Sequence, residues 1–499
     1  MLKKRLVISI LMFGLLAVVL SVSLVSAAVE VDTSELREAV TVAGIRAHQQ
    51  ALQDIADDND GNRAASTSGY DASAAYVAEL LEAAGYNVST QPFDFPFFQE
   101  LSPSELEQTA PGSETYEYLV DFFTMDYSGD GEVTAPVQAV DLNLPSTGGS
   151  TSGCEADDFS DFTAGNIALI QRGTCFFIDK VRNAVNAGAV GVIVFNEGNS
   201  PDREPLFGGT LGEPVSIPVL TASFAFGVAL NDLIDDGLTL RMTTDTISET
   251  RSTFNVLAET TSGRADRVVV VGAHLDSVPE GPGINDNGSG TATILEIALQ
   301  MAALEDFEPR NKVVFAFWGA EEAGLFGSEY YVSQLSASQI KKIAVNLNFD
   351  MLGSPNYARF VYDGDGSSTP LAGPNGSKNI EQVFLEYFNE QELETEPTAF
   401  DGRSDYGPFI AVGIPAGGLF SGAEGINPDN GIAYDPCYHL ACDTVDNVSE
   451  EALDELGDAA AHAVLTFADT TSAVNGTDKG KGKGKWADAM EYDGAHLRK

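Results

Sequence analysis

Acidic and imidazole side chains follow three predicted buried strands of this sequence. The strands read VVVVGA, KVVFAFW and AVNLNF, and the polar residues after them are, in chain order, His274 and Asp276, Glu321 and Glu322, and Asp350. Because the carboxyl ends of parallel strands meet at one edge of a sheet, we expect these side chains to lie close together. Carboxylates crowded in this way repel one another unless a cation neutralises them. The pattern therefore predicts a metal site.

Two further residues can join this site from segments outside the strands. Asp286 lies in the loop sequence GPGINDNGSG, whose glycine, proline and asparagine residues allow the chain to fold back over the strand ends. His439, in DPCYHLACD, supplies a second imidazole. Imidazole and carboxylate groups together form a ligand set that zinc accepts.

The order of these residues, with the segments around them, resembles the secreted bacterial di-zinc aminopeptidases, a zinc-exopeptidase family of the leucyl aminopeptidase type. The similarity covers most of the chain after about residue 62 and includes GINDNGSG, EEAGLFGS, NFDMLG, FDGRSDYGPF and CYHLAC. Together these segments are far more specific than any single motif. The family also has glutamate carboxypeptidase-like and glutaminyl cyclase-like relatives.

The resemblance implies ligands for two zinc ions on either side of a shared carboxylate. His274 and Asp350 would bind one ion, Glu322 and His439 would bind the other, and Asp286 would bridge them. Two ions in this arrangement polarise the scissile carbonyl and lower the pKa of a shared water, so that a bridging hydroxide is available near neutral pH. The resemblance also implies a cis peptide bond directly after Asp286.

Three more residues carry implied catalytic roles. Glu321 matches the general base of the family, which takes the proton of the water and passes it to the leaving amine. Asp276 matches the carboxylate that fixes the tautomer of the first metal-binding imidazole. Tyr438 matches a hydrogen-bond donor to the developing oxyanion.

Two segments would line the substrate cleft. FDGRSDYGPF would place Arg403 in contact with the substrate, although a surface salt bridge is the alternative, since Arg403 and Asp405 are residue types that are usually exposed. PAGGLFSGA resembles the wall of the specificity pocket, with Leu419 and Phe420 as its apolar lining. Packing in the core is the alternative role for this pair.

The predicted fold class is α/β, with a mixed, largely parallel sheet sandwiched by helices and interrupted by a β-rich insert. The insert resembles a protease-associated domain in the pieces APVQAVDLN, NIALIQRG, AVGVIVFNE and IPVLTAS. We assign residues 1–28 to a signal peptide, 33–127 to the first part of the peptidase domain, 128–250 to the insert, 251–469 to the second part with the metal site, and 470–499 to a disordered tail.

Composition indicates an exported protein. Basic residues precede an apolar run and then small residues at the N-terminus, which is typical of an export signal, with an uncleaved anchor as the alternative. The four cysteines form two close pairs, Cys154 with Cys175 and Cys437 with Cys442, as expected of disulfides in an oxidising compartment. A cysteine zinc site is the alternative, but neither pair has the short CxxC spacing. The net charge of −47 argues against binding nucleic acid or an anionic membrane surface.

The predicted function is removal of N-terminal residues from peptides by a monomeric, exported enzyme with two zinc ions, secreted or held in the cell envelope. A zinc carboxypeptidase needs the same metals but a basic pocket for a C-terminal carboxylate. A glutaminyl cyclase would keep one zinc and catalyse ring closure, and a binding module would need no metal. The ligand set alone leaves the carboxypeptidase alternative open.

Overall fold

The computed structural model describes residues 31–471 and residue 474. The predicted signal peptide and almost all of the predicted tail lie outside the described residues. The strands are, in chain order, β1 (Asn87–Ala110), β2 (Glu114–Thr115), β3 (Phe122–Thr124), β4 (Gly131–Val140), β5 (Ile167–Gln171), β6 (Gly191–Phe195), β7 (Val219–Ala222), β8 (Thr239–Glu259), β9 (Arg264–His274), β10 (Asn311–Trp318), β11 (Ile343–Phe349), β12 (Phe360–Tyr362), β13 (Glu396–Thr398) and β14 (Ala416–Phe420). The helices are, in chain order, α1 (Ser34–Ala39), α2 (Val42–Asp57), α3 (Ser68–Ala83), α4 (Phe177–Asn186), α5 (Phe224–Leu233), α6 (Gly288–Ala303), α7 (Phe326–Ser333), α8 (Ala337–Lys342), α9 (Ser377–Glu390), α10 (Tyr406–Ala411) and α11 (Glu450–Asp469).

Parallel strands form the centre of the peptidase sheet. β9 pairs in parallel with β10 on one side and with β11 on the other, and β14 continues in parallel beyond β11. β8 joins β10 in antiparallel orientation, while β12 and then β13 extend the opposite edge. The sheet is mixed and largely parallel, which confirms the predicted fold class.

Helices cover both faces of this sheet. Val269 and Val271 of β9 belong to a core that includes residues of α2, α3, α6, α9 and α11. Val270 belongs to a second core, which includes residues of α7 and α10. Alternate residues of a strand point to opposite faces, so β9 is buried from both sides. This explains its uninterrupted run of apolar residues.

A long two-stranded ribbon connects this sheet to the insert. β1 and β8 pair antiparallel from Asn87 opposite Glu259 to Ala110 opposite Thr239. β10 pairs with the C-terminal part of β8, and β4 pairs with its N-terminal part. In the sequence, the alternation of polar and apolar residues in VSTQPFDF predicts a strand over residues 88–95 only. The strand continues through Pro96, which fits because an edge strand has one side without ladder hydrogen bonds.

The insert contains its own parallel sheet. β4, β5, β6 and β7 pair in parallel in this order, and β3 joins β7 in antiparallel orientation. Leu230 of α5 shares a core with Leu169 on one face, and Val181 of α4 shares a core with Ile170 on the other. The insert is therefore a small α/β unit, with more helix packing than the β-rich prediction implied. Within residues 31–471, no helix combines the length and the apolar character needed to cross a membrane.

Candidate metal centre

The predicted site residues converge at the carboxyl ends of β9, β10 and β11. Trp318, the last residue of β10, lies opposite His274 at the end of β9. Asn348 of β11 lies opposite Gly272 of β9, so Asp350 follows at nearly the same level. Because the three strands are parallel and in this register, the polar residues after them share one edge, as the sequence predicted.

Asp286 lies between the two histidines of the site. Its Oδ1 atom is 3.2 Å from His274 Nε2, and its Oδ2 atom is 3.2 Å from His439 Nε2. His274 Nε2 is also 3.3 Å from Asp350 Oδ1, and His439 Nε2 is 3.0 Å from Glu322 Oε2. Each half of the site thus offers one imidazole and two carboxylate oxygens, and Asp286 contributes to both halves.

These distances, 3.0–3.3 Å, lie at or just below the separation of zinc ligands. Zinc bonds to nitrogen and oxygen measure roughly 2.0–2.2 Å, so neighbouring ligand atoms of a tetrahedral ion lie about 3.3–3.6 Å apart. Among the described residues, Glu322 Oε1 and Asp350 Oδ1 are buried without a hydrogen-bond partner. A buried, unpaired carboxylate oxygen is costly unless a cation lies against it. Protonated histidines could explain the distances alone, but each Nε2 proton would then have to be shared between two carboxylates.

Glu321 stands apart from this set. Its Oε2 atom is 3.9 Å from His274 Nε2, beyond hydrogen-bond distance, and the residue is 8% exposed. Its carboxylate could still join His274 and Asp350 as a metal-binding group. The longer distance instead favours the predicted division of labour, in which Glu322 binds a metal and Glu321 does not.

The charges of the site explain why it needs a cation. Burial raises the pKa of Glu322 to about 7 and the pKa of Glu321 well above its usual value. Although burial acts to raise it, the pKa of Asp286 falls, because hydrogen bonds from His274 and His439 stabilise its charged form. Without a cation, these acids cannot all ionise together in so small a volume.

Asp276 supports the site differently from the prediction. Its carboxylate accepts the backbone N–H groups of Glu321, at 3.2 Å, and Glu322, at 3.3 Å. His274 Nδ1 lies 3.1 Å from the backbone carbonyl oxygen of Asp276 and 3.8 Å from its carboxylate. The main chain of Asp276 therefore orients the imidazole, and its side chain holds the glutamate pair in place.

A short covalent loop presents His439. A disulfide joins Cys437 to Cys442, and Cys154 is likewise bonded to Cys175, so both predicted pairings are confirmed. The ring of Tyr438 stacks on that of His439 with centroids 3.9 Å apart. His439 has a φ of 57°, a left-handed conformation that non-glycine residues seldom adopt. Such conformations cluster at functional sites, where the surroundings hold them.

The peptide bond between Asp286 and Asn287 is cis, as the resemblance implied. The Asn287 side chain accepts the backbone N–H of Gly290 at the start of α6 and that of Met351 after β11. The loop that carries Asp286 is therefore tied to the strand end that carries Asp350.

Some supporting residues were missed by the sequence analysis. The Ser404 hydroxyl donates to Asp350 Oδ2. The backbone N–H of Asp286 donates to Asp443 at 3.0 Å. Asp405, expected to be exposed, is buried, and burial raises its pKa to about 8. The sequence offered only one sign of these roles, namely the position of the residues beside or within family segments: Asp443 directly follows CYHLAC, and Ser404 lies within FDGRSDYGPF.

A cavity of about 70 Å³ opens beside these carboxylates and is lined in part by Arg403, Phe420 and Tyr438. Arg403 Nη2 lies 3.3 Å from the Tyr438 hydroxyl, and Arg403 also forms an ion pair with Glu424 at 3.0 Å. Arg403 therefore both lines the cleft and forms a salt bridge, so both interpretations of this residue apply. Leu419 is fully buried in the main core and does not line the cavity. Its role is therefore packing in the core, the alternative to a place in the pocket wall.

Comparison with known proteins gives a consistent assignment. The chain matches the model of peptidase family M28 over residues 255–464 and that of the PA domain over residues 133–230. It is 49% identical over 437 residues to an aminopeptidase of Pseudomonas aeruginosa, and the match covers 85% of this chain and 81% of that protein. It is similar to the solved aminopeptidase from Aneurinibacillus sp. strain AM-1, with a TM-score of 0.64, 27% identity, and coverage of 87% of this chain and 95% of that chain. A solved zinc aminopeptidase from Bacillus subtilis is similar with a TM-score of 0.56 and 25% identity, over 85% of this chain and 95% of that chain.

The family match includes all three strands that end at the site, and the PA match lies within the predicted insert. The mixed α/β sheet and the cluster of histidines and acids agree with this assignment. The chain therefore belongs to peptidase family M28 and is a metallo-exopeptidase of the aminopeptidase type with an inserted PA domain.

Proposed function

We propose that this chain is an exported aminopeptidase that holds two zinc ions, one at His274 and Asp350 and the other at His439 and Glu322, with Asp286 shared between them. One observation carries this proposal. The two oxygens of Asp286 face different imidazoles at equal distances of 3.2 Å, and each imidazole has a second carboxylate beside it. Bound there, two zinc ions would polarise the scissile carbonyl and lower the pKa of an attacking water.

In this proposal the protein side chains move the proton and stabilise charge. Glu321, buried and outside the ligand set, accepts the proton of the attacking water and delivers it to the leaving amine. The Tyr438 hydroxyl accepts an N–H from Arg403, which leaves its own proton free to donate to the developing oxyanion. Asp276 holds Glu321 and Glu322 through their backbone N–H groups, so the base and the ligand keep separate positions.

The charges around the cavity favour binding of the N-terminus of a peptide substrate over binding of its C-terminus. Among the residues that the structure describes, five acids line the cavity, and the one cation that lines it, Arg403, is already paired with Glu424. A carboxypeptidase would need an unpaired cation for the substrate carboxylate, whereas an acidic cleft attracts a free ammonium group. The apolar lining from Met351, Tyr362 and Phe420 fits an apolar side chain on the residue to be removed.

Export is the remaining part of the proposal. Two disulfides are typical of proteins that fold in an oxidising compartment. The predicted export signal, although outside the described residues, points to the same compartment.

The experiment is hydrolysis by zinc-reconstituted protein of amide substrates with N-terminal Leu, Lys or Glu, together with N-blocked and C-blocked peptides. We expect C-blocked peptides to be cleaved and N-blocked peptides to resist cleavage. Elemental analysis should find two zinc ions per active chain. Cleavage of N-blocked but not C-blocked peptides would establish the carboxypeptidase alternative, and full activity with one zinc would overturn the shared role of Asp286.

A further inference from the structure

A second cavity adjoins the metal centre and differs in character from the first. It has a volume of about 230 Å³, and its lining includes Glu322 and Asp276, so it opens onto the same carboxylates. The rest of its wall comes from the loop at residues 277–279, from phenylalanines of β1, and from Asp126 and Tyr127 at the edge of the insert. It therefore lies where the peptidase sheet meets the insert.

Asp126 is the unusual group in this cavity. Its main chain is fixed, because its N–H donates to the Gly209 carbonyl and its carbonyl accepts the Leu211 N–H of the insert. Its half-buried carboxylate has no hydrogen bond or ion pair with any residue in the described part of the chain. Glu100 lies near it and already accepts the Tyr118 hydroxyl at 2.6 Å. Burial, with the charge of Glu100, raises the pKa of Asp126 to about 6.

A cation would relieve this arrangement, and the described residues supply none at Asp126. Arg251 is close to the same wall, where its guanidinium lies 3.4 Å from the centroid of the Phe97 ring. Its Nε donates a hydrogen bond to Glu249 at 2.8 Å, so Arg251 already has a carboxylate partner. Phe98 and Tyr127 provide aromatic surface with ring centroids 5.7 Å apart. An alkyl stem can pack on such rings while its charged end reaches a carboxylate.

We propose that this cavity binds a lysine or arginine side chain of the peptide beyond the scissile bond, and that Asp126 selects it. The inference rests on the proposed aminopeptidase function, in which the first cavity takes the N-terminal residue. The leaving part of the substrate must then extend elsewhere from the metal centre, and the second cavity meets that centre at Glu322. The insert would thereby take part in substrate choice through the segment that fixes Asp126.

The test compares tetrapeptides that begin with leucine and carry lysine, alanine or glutamate at the second or third position, with the zinc-loaded enzyme. We expect kcat/KM for the lysine peptide to exceed that for the alanine peptide by about tenfold at one of these positions, as for a charged hydrogen bond. The difference should lie mainly in KM. In Asp126→Asn the lysine-to-alanine ratio should fall to about one, and Asp126→Lys should favour glutamate. Each ratio is taken within one preparation, so the fraction of folded enzyme cancels.

Asp161→Asn is the matched control, because it removes the same charge from an exposed position of the insert that does not line the cavity. Its lysine-to-alanine ratio should equal that of the parent enzyme. A preference that survives in Asp126→Asn, or that appears equally for lysine at the fifth position of a longer peptide, would overturn the proposal in favour of steering by the net charge of −47. Absence of any preference at either position would also overturn it. Mass spectrometry of the products distinguishes this proposal from the proposed aminopeptidase activity, which fails if the N-terminal residue is not the one released.

Discussion

Replacement of Glu321 by glutamine separates its proposed role as a base from a role as a ligand. The substitution keeps the shape of a residue that is only 8% exposed, so the surrounding packing should not change. It removes the group that accepts the proton of the water, and general-base catalysis contributes about 10²–10⁴-fold in rate. We expect a loss near the upper end of that range, equivalent to about 5 kcal/mol of activation free energy, because burial leaves little room for bulk water to act instead. The loss should appear in kcat, since the residue would act only as the reaction proceeds.

Glu322→Gln provides the matched control, because the neighbouring residue undergoes the same chemical change. Glu322 Oε2 lies 3.0 Å from His439 Nε2, so this variant should bind less zinc at that half of the site. Elemental analysis is therefore run beside the rate of release of leucine from its 4-nitroanilide. Equal zinc loss in both variants would show that Glu321 is a ligand. Near-normal turnover by a fully loaded Glu321→Gln enzyme would refute its role as the base.

Three further predictions concern the support of the site and the fold. Replacing both Cys437 and Cys442 by serine should weaken zinc binding, because their disulfide holds in place the loop that carries the proposed ligand His439. An unchanged zinc affinity, measured in competition with a chelator, would contradict this prediction. Ser404→Ala removes a hydroxyl bound to a proposed ligand, so zinc affinity should fall about 10–100-fold, measured in the same way, while kcat at saturating zinc changes little. Burial, with a nearby arginine, lowers the pKa of His462 to about 4, so the unfolded chain binds more protons than the native one between pH 6.5 and 4. The free energy of unfolding should therefore fall as the pH drops through this window, by up to about 3 kcal/mol from this residue, and His462→Gln should reduce that dependence in urea titrations at pH 7 and pH 5.

The strand ends were predictable because local pattern and topology agree there. Mostly apolar runs marked β9, β10 and β11, and each run is followed within three residues by a polar residue of the site. A buried parallel sheet places those ends at one edge, so proximity followed without any knowledge of contacts. The helical spacing of apolar residues from 291 to 304 also predicts a helix after Asp286, and in the structure this helix begins earlier, at Gly288. The Asn287 side chain caps this helix by accepting the Gly290 N–H, which accounts for the earlier start.

Supporting contacts could not be predicted, because they join residues far apart in sequence. Asp443 accepts a hydrogen bond from the backbone N–H of Asp286, although the two residues are 157 positions apart in the sequence. From the sequence alone, an aspartate after a cysteine indicates only a turn residue. Arg63 is fully buried and donates to the carbonyl groups of Pro282 and Gly283 in the loop before Asp286. An arginine in a loop sequence is usually exposed, so nothing local indicated this role.

Leu419 and Phe420 show that the sequence alone does not reveal which strand residues line the cavity. They are neighbours in β14, and neighbouring strand residues point to opposite faces. Only one of them could therefore line the cavity, and the sequence did not show which face was the cleft. The pairing of β14 with β12 places Phe420 opposite Phe360, with their rings stacked at 5.8 Å, while Leu419 enters the main core. The pocket wall thus depends on a register that only the folded sheet defines.

The ribbon of β1 and β8 makes the insert part of the support of the metal centre. Asn255 of β8 accepts the Gly319 N–H at 3.1 Å and donates to the Gly327 carbonyl at 2.8 Å. These two glycines bracket the segment that carries Glu321 and Glu322. The same strand continues into the insert, where it pairs with β4. A change that bends or shortens β8 would therefore shift the proposed base and ligand as well as the wall of the second cavity. Because the insert and the reaction site share this strand, effects of insert mutations on activity need not arise from access to the cleft.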